Sequence, residues 1–512
     1  MVAIGEKEMQ DELSQLRRQR QEKIKKLEAL GVELYAYNYP QKETAKQVFE
    51  LFDQIENEDQ DQGEALEVSV AGRLLSVRGH GKSVFAHLED RSGQIQIYFK
   101  LDVLGQESFE TLDLLDLGDW IGVSGTVFRT RTGEVTIQAQ DWELLSKSVR
   151  QLPLGKTQTE DDSEVSVYGG FSNVEMRYRQ RYADLAVNPE VREVFKVRAS
   201  VISELRKFLD DREFLEVETP ILQPIYGGAA ARPFVTEHNA LDRTLYLRIA
   251  DELYLKRLIV GGFGRVYEIS KDFRNEGIDR FHNPEFTMLE FYQAFTDYNE
   301  LMDFTETMIS TVMVKVKGSL ETRYQGNSIS FSAPFDRIPM LEAVSEAIGE
   351  DVSELESQEL IQIVNSKGIQ TSRNWGWGKL IDKCFGELVQ PDLIQPTFVI
   401  DHPREISPLA KTHRESTRLT ERFELFVAGE EIANAFSELN DPAEQRERFE
   451  GQEQMKNEGD EETHPIDEDY IRALEYGMPP TGGLGMGIDR LTMLITNQPA
   501  IRDVILFPVM RD

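Results

Sequence analysis

Residues Val266–Phe295 read VYEISKDFRNEGIDRFHNPEFTMLEFYQAF, and this stretch decides the fold. Two runs of strand-forming residues flank a long polar loop, which predicts a β hairpin. Arg274 ends the first strand and Phe286 begins the second. A guanidinium fork matches phosphate oxygens, and a ring can lie on a nucleobase, so the hairpin suits a nucleotide. Taken alone, one such arginine more often forms a salt bridge at the end of a strand.

Two other segments carry similar signals. Thr481–Leu491, TGGLGMGIDRL, has four glycines in six residues, which let a ligand approach the backbone closely, and Arg490 follows at the start of an apolar helix. The segment is neither a P-loop nor a dinucleotide-binding fingerprint. Phe214–Pro220, FLEVETP, follows an amphipathic helix predicted over Val194–Asp210 and reads as a strand that the proline ends.

The N-terminal third alternates apolar and polar residues with a period of two, which predicts strands. A helix-like stretch, Glu107–Leu117, lies between the third strand and the fourth. Five strands with a helix after the third is the order of an OB-fold barrel, a fold that often binds oligonucleotides. The five predicted strands are Glu67–Val77, Ser83–Glu89, Gln94–Phe99, Trp120–Val127 and Glu134–Leu145.

The chain therefore belongs to the α+β class, with four predicted regions along its 512 residues. Residues 1–60 form an N-terminal basic helix (about residues 5–30) and an acidic linker. Residues 61–147 form the OB-fold barrel, and residues 148–190 a polar linker. Residues 191–512 form one large domain, in which strands and helices mix without an internal repeat.

The net charge of −34 argues against a nucleic-acid partner, but local placement of basic residues matters more. Arg17–Lys26 has six basic residues in ten, which either meet phosphates or form a solvated helix face. The acidic runs Glu56–Glu67 and Glu458–Asp469 predict solvated loops. No apolar stretch is long enough for a membrane span, and the N-terminus lacks a secretory pattern. With Cys384 as the single cysteine, we expect a cytoplasmic protein.

Taken in order, the three segments at about 194–220, 266–295 and 481–495 resemble motifs 1, 2 and 3 of class II aminoacyl-tRNA synthetases. The resemblance is closest to the bacterial-type lysyl-tRNA synthetases of subclass IIb, and it covers essentially the whole chain. It implies a class II catalytic domain built on an antiparallel sheet flanked by helices. The segments that carry it further are IYGGAAARPF, RIADELYLKRLIVGGFGRVYEI, IQPTFVIDHPREISPLAK and RFELFVAGEEIANAFSELNDP.

The resemblance implies ATP-dependent ligation of L-lysine to tRNA(Lys) through a lysyl-adenylate, with release of AMP and pyrophosphate. Arg274 and Arg490 are the expected catalytic residues, on the α- and γ-phosphates. Glu424 and Glu431 match the family's Mg²⁺ ligands, with up to three ions per subunit. The expected ATP-binding residues are Arg274, Glu276, His282, Phe286, Glu424 and Arg490.

A lysine pocket needs carboxylates for the ammonium group and apolar or aromatic walls for the stem. Glu290 and Tyr292 share one face of a strand by period two. Clustered carboxylates would repel one another in an empty pocket, and a bound cation would relieve the repulsion. The pocket residues implied by the resemblance are Gly228, Glu252, Glu290, Tyr292, Asn434, Phe436 and Glu438. Each glutamate considered singly is better explained as a surface or salt-bridged acid.

The family's anticodon positions correspond to Arg78, Phe85, Gln96 and Glu134. Stacking on Phe85 and base-edge contacts from the others would suit single-stranded RNA, although Phe85 could instead belong to the barrel core. The resemblance also implies a homodimer formed through the Phe214–Pro220 region.

Three other functions fit parts of the pattern. A related ligase could attach lysine to a protein, but such enzymes lack the N-terminal barrel. An aspartate or asparagine enzyme of the same subclass would need different pocket residues from Glu290 and Tyr292. A regulatory module without activity would have lost catalytic positions, and all are present. One departure from the family lies beside the pocket, where Asp251 stands in place of the usual proline and leaves Glu252 itself in place.

Overall fold

The computed structural model describes residues 2–57, 65–160, 164–168, 171–372, 375–457 and 465–511. It divides into two compact units, Met1–Ser172 and Asn173–Asp512. The acidic runs predicted as loops lie largely outside the described residues, so that prediction stays untested. Within the described ranges, no helix is long and apolar enough to cross a membrane.

The elements of the first unit are α1 (Val2–Ala29), α2 (Ala45–Asn57), β1 (Glu67–His80), β2 (Ser83–Glu89), β3 (Gln94–Lys100), α3 (Leu101–Leu104), α4 (Gln106–Thr111), β4 (Trp120–Arg129), β5 (Val135–Ser146), β6 (Lys156–Glu160) and β7 (Glu164–Tyr168). Five of these strands form a closed barrel with the order β1-β2-β3-β5-β4. β3 and β5 pair in parallel, and the other neighbouring strands are antiparallel. The prediction of an OB-fold is confirmed, and the helix-like stretch after the third strand is α4 followed by a 3-10 turn, Leu112–Leu114.

The alternation of side-chain direction along each strand decides which residues form the barrel core. In β3, Ile95, Ile97 and Phe99 are buried in the barrel core, whereas Gln96 and Tyr98 face outward and are partly exposed. The outer face of β3 is therefore free to contact a ligand.

The second unit begins with three helices and a strand and then builds a large sheet. Its elements are α5 (Val174–Arg179), α6 (Arg181–Val187), α7 (Pro189–Asp210), β8 (Leu215–Glu216), β9 (Leu222–Gln223), β10 (Val235–His238), β11 (Arg243–Leu247), α8 (Glu252–Val260), β12 (Arg265–Phe273), β13 (Glu285–Ala294), α9 (Tyr298–Lys317), β14 (Glu321–Tyr324), β15 (Asn327–Ser330), β16 (Asp336–Pro339), α10 (Met340–Ile348), α11 (Ser357–Ser366), α12 (Trp377–Leu388), β17 (Thr397–Ile400), β18 (Thr412–His413), β19 (Ser416–Thr420), β20 (Arg422–Val427), β21 (Glu430–Ser437), α13 (Pro442–Asn457), α14 (Glu468–Glu475), β22 (Thr481–Gly487), α15 (Ile488–Thr496) and α16 (Ile501–Val504).

The main sheet has eight strands in the order β16-β17-β20-β21-β22-β13-β12-β8. Its central strands are antiparallel, and only the two outermost pairs are parallel. Helices α7, α9 and α15 pack on one face, against Leu289 and Phe291 of β13. Because side chains alternate along a strand, Glu290 and Tyr292 project from the opposite face.

The polar linker predicted over residues 148–190 is shorter in the structure, because α5 and α6 belong to the second unit. Arg181 is buried there, and its guanidinium donates to the carbonyl oxygens of Arg502 at 2.8 Å and Leu506 at 3.1 Å. It also pairs with Asp184 at 2.6 Å. These contacts tie α6 to the C-terminal segment, so the second unit begins near Asn173 rather than at residue 191.

Candidate active site

A cavity of about 480 Å³ opens on the face of the sheet that α7, α9 and α15 leave free. Every residue predicted to contact ATP, Mg²⁺ or lysine lines this one cavity. They are Gly228, Glu252, Arg274, Glu276, His282, Phe286, Glu290, Tyr292, Glu424, Glu431, Asn434, Phe436, Glu438 and Arg490. Residues separated by more than 200 positions in the sequence thus meet at one site.

The register of three neighbouring strands explains how the cavity forms. Glu290 of β13 lies opposite Gly485 of β22, which lies opposite Asn434 of β21. Two residues along, Tyr292, Gly483 and Phe436 form a second row. The glycines carry no side chains, so the middle strand becomes the floor of the cavity and its neighbours become the walls.

Gly483 is required by close packing. A Cβ atom at this position would collide with the carboxylate of Glu438 and the ring of Tyr292. Gly228 is required by its backbone, because its φ is +91°, in the region that favours glycine. The glycine at position 483 therefore leaves room for two side chains predicted to form the lysine pocket, Glu438 and Tyr292.

At one end of the cavity, the ammonium group of Lys256 is bound by two predicted pocket residues, Glu252 and Glu438. Lys256 is fully buried and also lies 5.9 Å from the centre of the Tyr292 ring. The Tyr292 hydroxyl donates to Glu290 at 3.3 Å. The expected repulsion is present, because, beyond the effect of burial, the charge of Glu252 raises the pKa values of Glu438 and Glu290, and Lys256 offsets part of it.

Lys256 was missed by sequence reasoning. Its spacing from Glu252, four residues along α8, is typical of a surface ion pair on a helix. The pair is buried because α8 packs against β12, β13 and α14. No pattern in the sequence distinguishes this buried pair from an exposed one.

Burial and neighbouring charges shift the pKa values of the ionisable groups at this end of the cavity. Burial raises the pKa of Glu438 to about 8, against the opposing effect of Lys256. Burial likewise raises the pKa of Glu290 well above its usual value, with nearby carboxylates adding to the shift. Burial lowers the pKa of Lys256, but the charges of Glu252 and Glu438 outweigh it, so Lys256 remains a cation.

The opposite end of the cavity is cationic and aromatic. The guanidinium of Arg274 lies 5.0 Å from the centre of the Phe286 ring, across the hairpin formed by β12 and β13. Arg490 donates to the backbone oxygen of Glu431 at 2.6 Å and approaches His282 at 3.4 Å. Two arginines and one partly buried ring that lines the cavity suit a nucleoside triphosphate.

The three motifs are joined by one buried contact. Arg198 of α7 pairs with Asp489 of α15 at 2.6 Å, and Asp489 accepts the backbone N–H of Thr287 at 2.7 Å. Arg198 also donates to the Thr287 hydroxyl at 2.9 Å. This contact holds the hairpin carrying Arg274 against the helix carrying Arg490.

Two carboxylates at the cationic, aromatic end of the cavity fit a magnesium site. Glu424 pairs with Arg422, and Glu431 lies 3.6 Å from Arg490. Burial raises the pKa of Glu424 to about 7, and the charge of Glu431 adds to that shift. Carboxylate oxygens are the donors that Mg²⁺ prefers, and they line the same cavity as the cationic groups, so the donor set suits a metal bound together with phosphates.

The predicted anticodon residues lie together on the outer face of the barrel. The register puts Arg78 beside Phe85, and Phe85 beside Tyr98. The Phe85 and Tyr98 rings stack with their centres 4.6 Å apart, and Phe85 is only partly buried, so it is not a core residue. Tyr98 was missed, although its place two residues after Gln96 puts it on the same face.

A set of hydrogen-bonded polar side chains lies beside this aromatic pair on the barrel. Glu134, immediately before β5, accepts from Gln96 at 2.7 Å and contacts His87 at 3.1 Å. Gln96 is further held by the Thr136 hydroxyl at 2.8 Å. The surface therefore offers adjacent aromatic and hydrogen-bonding groups, the combination that single-stranded bases require.

Comparison with known proteins gives the same division of the chain. Residues 173–511 match the family of class II tRNA synthetases for aspartate, lysine and asparagine, and residues 68–145 match the OB-fold nucleic acid binding domain. A lysine–tRNA ligase of Carboxydothermus hydrogenoformans is 52% identical over 501 residues, which cover 98% of this chain and 99% of that protein. One from Pelotomaculum thermopropionicum is 53% identical over 505 residues, covering 98% of this chain and 96% of the relative.

Proposed function

Because this chain belongs to the class II lysine–tRNA ligases, we propose that the cavity of the second unit is where lysine and ATP react. The chain joins lysine to tRNA in an ATP-dependent reaction. The observation that carries the assignment of the site is that an anionic end and a cationic, aromatic end share one cavity. Lysine and ATP have the complementary charges.

The lysine pocket is proposed at the end formed by Glu252, Glu290 and Glu438. Lysine carries two ammonium groups, and these three carboxylates with Lys256 have a net charge of −2 when ionised. Charge matching of this kind favours lysine over a neutral or acidic amino acid. Tyr292 and Phe436 would wall the stem, Gly228 would allow close approach of the amino acid backbone, and Asn434 would complete the pocket.

ATP is proposed to lie at the other end. Phe286 would stack on adenine while Arg274 contacts the α-phosphate and the lysine carboxylate. Arg490 would contact the γ-phosphate from the opposite side, with His282 and Glu276 over the bound nucleotide. Support comes from the Arg274–Phe286 geometry and from the contact between Arg490 and His282.

Glu424 and Glu431 would hold Mg²⁺, and the resemblance to the family implies up to three ions per subunit. Bound Mg²⁺ supplies neutralisation of phosphate charge. In the ligand-free protein Arg422 and Arg490 neutralise these two carboxylates instead.

The reaction proposed has two steps. The lysine carboxylate attacks the α-phosphorus in line and pyrophosphate leaves, which gives lysyl-adenylate. The terminal ribose hydroxyl of tRNA(Lys) then attacks the lysyl carbonyl and AMP leaves. No protein nucleophile is needed, because Arg274 and Arg490 act by orienting the substrates and by stabilising the charge that develops.

The barrel is proposed to read the anticodon, with bases stacking on Phe85 and polar contacts from Arg78, Gln96 and Glu134. Stacking of Phe85 on Tyr98 supports this, because it presents a ready aromatic platform.

A homodimer in the cytoplasm is also proposed. Apolar side chains on and just after the first motif are between 37% and 48% exposed, and their burial against a second copy would be favourable. They are Leu215, Ile221, Leu222 and Ile225. Light scattering should give the mass of two chains, and Leu222→Lys should reduce it toward one.

Replacement of one arginine tests the catalytic assignment. Arg274→Ala should lower ATP–pyrophosphate exchange by about 10²–10³-fold, because a preorganised contact to the developing charge is lost. Arg323→Ala, which removes an exposed arginine from β14, should leave exchange unchanged. Exchange at the wild-type rate in the Arg274 variant would remove this residue from the mechanism.

A further inference from the structure

Three buried carboxylates converge beside the lysine end of the cavity. Asp251, Asp272 and Glu290 each place one oxygen within 4.8 Å of the other two. Their exposed fractions are 0%, 0% and 5%. Asp251 immediately precedes α8, and the other two residues lie on β12 and β13.

Two oxygens in this group have neither a hydrogen-bond donor nor an ion pair. Among the described residues, Oδ2 of Asp251 and Oδ2 of Asp272 accept no hydrogen bond, whereas Oδ1 of Asp251 lies 2.9 Å from the guanidinium of Arg248. A buried polar atom without a partner costs free energy, and native structures seldom retain several of them at one place. The vacant oxygens therefore indicate a missing partner.

The charge balance leads to the same conclusion. One guanidinium, that of Arg248, lies 2.9 Å from Asp251, 2.7 Å from Glu268 and 3.4 Å from Asp272. Within the described part of the chain, Glu290 has no ion pair. The charge of Arg274 also acts on Asp272, so four buried carboxylates face two cations, and a bound cation would offset the remaining negative charge.

We propose that Asp251, Asp272 and Glu290 bind a hard divalent cation of the Ca²⁺ or Mn²⁺ type, separate from the magnesium proposed at Glu424 and Glu431. Carboxylate oxygens are the preferred donors of such ions. Ca–O bonds of about 2.3–2.6 Å separate two ligand oxygens by at most about 5 Å, which the observed spacing satisfies.

The ion would also fix a residue of the lysine pocket. Oε1 of Glu290 accepts the backbone N–H of Asp251 at 3.2 Å, and Oε2 accepts the Tyr292 hydroxyl at 3.3 Å. The Glu290 carboxylate therefore contacts Asp251 on one side and the pocket residue Tyr292 on the other.

Mn²⁺ binding to the full-length chain tests the proposal. Protein stripped with a chelator is titrated with Mn²⁺ without ATP or lysine, and free Mn²⁺ is followed by electron paramagnetic resonance. We expect one tight ion per chain. Asp251→Asn should weaken its binding at least about tenfold, since even partners outside the ligand sphere of a metal contribute about 10–100-fold. Asp336→Asn, at an exposed aspartate, should bind Mn²⁺ as the wild type does, and Glu424→Gln should retain the tight ion.

Two results would overturn the proposal. One is equal Mn²⁺ affinity in Asp251→Asn and the wild type. The other is loss of the tight ion in Glu424→Gln, which would place it at the ATP end. Anomalous diffraction from wild-type crystals grown with Mn²⁺ does not depend on the folding of any variant. A peak among the three carboxylates supports the site, and its absence there rejects it.

Discussion

The ammonium group of Lys256 contacts the carboxyl group of Glu438, and both side chains are fully buried. The same ammonium group is shared with Glu252, so one internal cation serves two of the three carboxylates proposed to bind lysine. The ligand-free pocket thereby keeps its acidic groups at a tolerable cost, because a buried carboxylate without a partner is strongly unfavourable.

Removal of this cation should destabilise the protein. Lys256→Met leaves Glu252 and Glu438 buried without a partner, and we expect the free energy of unfolding to fall by about 3–5 kcal/mol. Urea denaturation of the second unit measures the change. Lys315→Met, which removes an exposed lysine from α9, should change stability by less than about 0.5 kcal/mol. Equal stability of both variants would show that Lys256 does not neutralise the pocket.

Lysine binding should release a proton near neutral pH. The folded-state pKa of Glu438 is raised by burial to about 8, so the group is protonated in the ligand-free protein below that pH. Its contribution to stability is present below its unfolded pKa and is lost as pH rises through about 8. The ammonium group of lysine needs the ionised form, so lysine affinity should increase between about pH 6 and pH 8.

Calorimetric titration with lysine, repeated in buffers of different ionisation enthalpy, measures the number of protons released on binding. Glu438→Gln should bind lysine weakly and without the release, whereas Glu346→Gln, at an exposed position of α10, should behave as the wild type. Lysine affinity that stays constant over this pH range would contradict the pKa of Glu438.

Phe286 should contribute to ATP binding and not to lysine binding. Phe286→Ala removes the ring beneath Arg274, and loss of stacking on a base costs about 1–3 kcal/mol, which is about 5- to 150-fold in affinity. The KM for ATP in pyrophosphate exchange should rise by that factor, while the KM for lysine stays the same. Phe286→Tyr keeps the ring and should retain ATP binding. An equal rise in both KM values would indicate a general disturbance of the hairpin.

Replacement of Phe85 should weaken tRNA binding and leave lysine activation unchanged. Phe85→Ala removes the outer ring of the Phe85–Tyr98 stack, and we expect the KM for tRNA(Lys) to increase about tenfold or more. Pyrophosphate exchange, which needs no tRNA, should be unchanged. Tyr37→Ala removes a fully exposed aromatic ring from the same unit and serves as the control. Unchanged aminoacylation by Phe85→Ala would exclude the stacking role.

The elements nearest the site were predicted closely. The two strands of the hairpin, β12 and β13, and the glycine strand with its following helix, β22 and α15, lie where the sequence patterns put them. These elements have strong local signals, because period-two alternation, a polar loop and clustered glycines act within a few residues of one another. The length of the linker was predicted less well, since Arg181 finds its partners more than 300 residues away.

The amino-acid sequence by itself determined the fold class, the two domains and the family, because strand periodicity and motif order are properties of the linear chain. It also named the carboxylates and arginines of the cavity. Only the tertiary structure decided that Lys256 neutralises two of those carboxylates and that Asp251 joins Asp272 and Glu290. Burial causes this difference: an ion pair or an acid costs little in water, and its charge becomes decisive only when distant segments fold around it and exclude solvent.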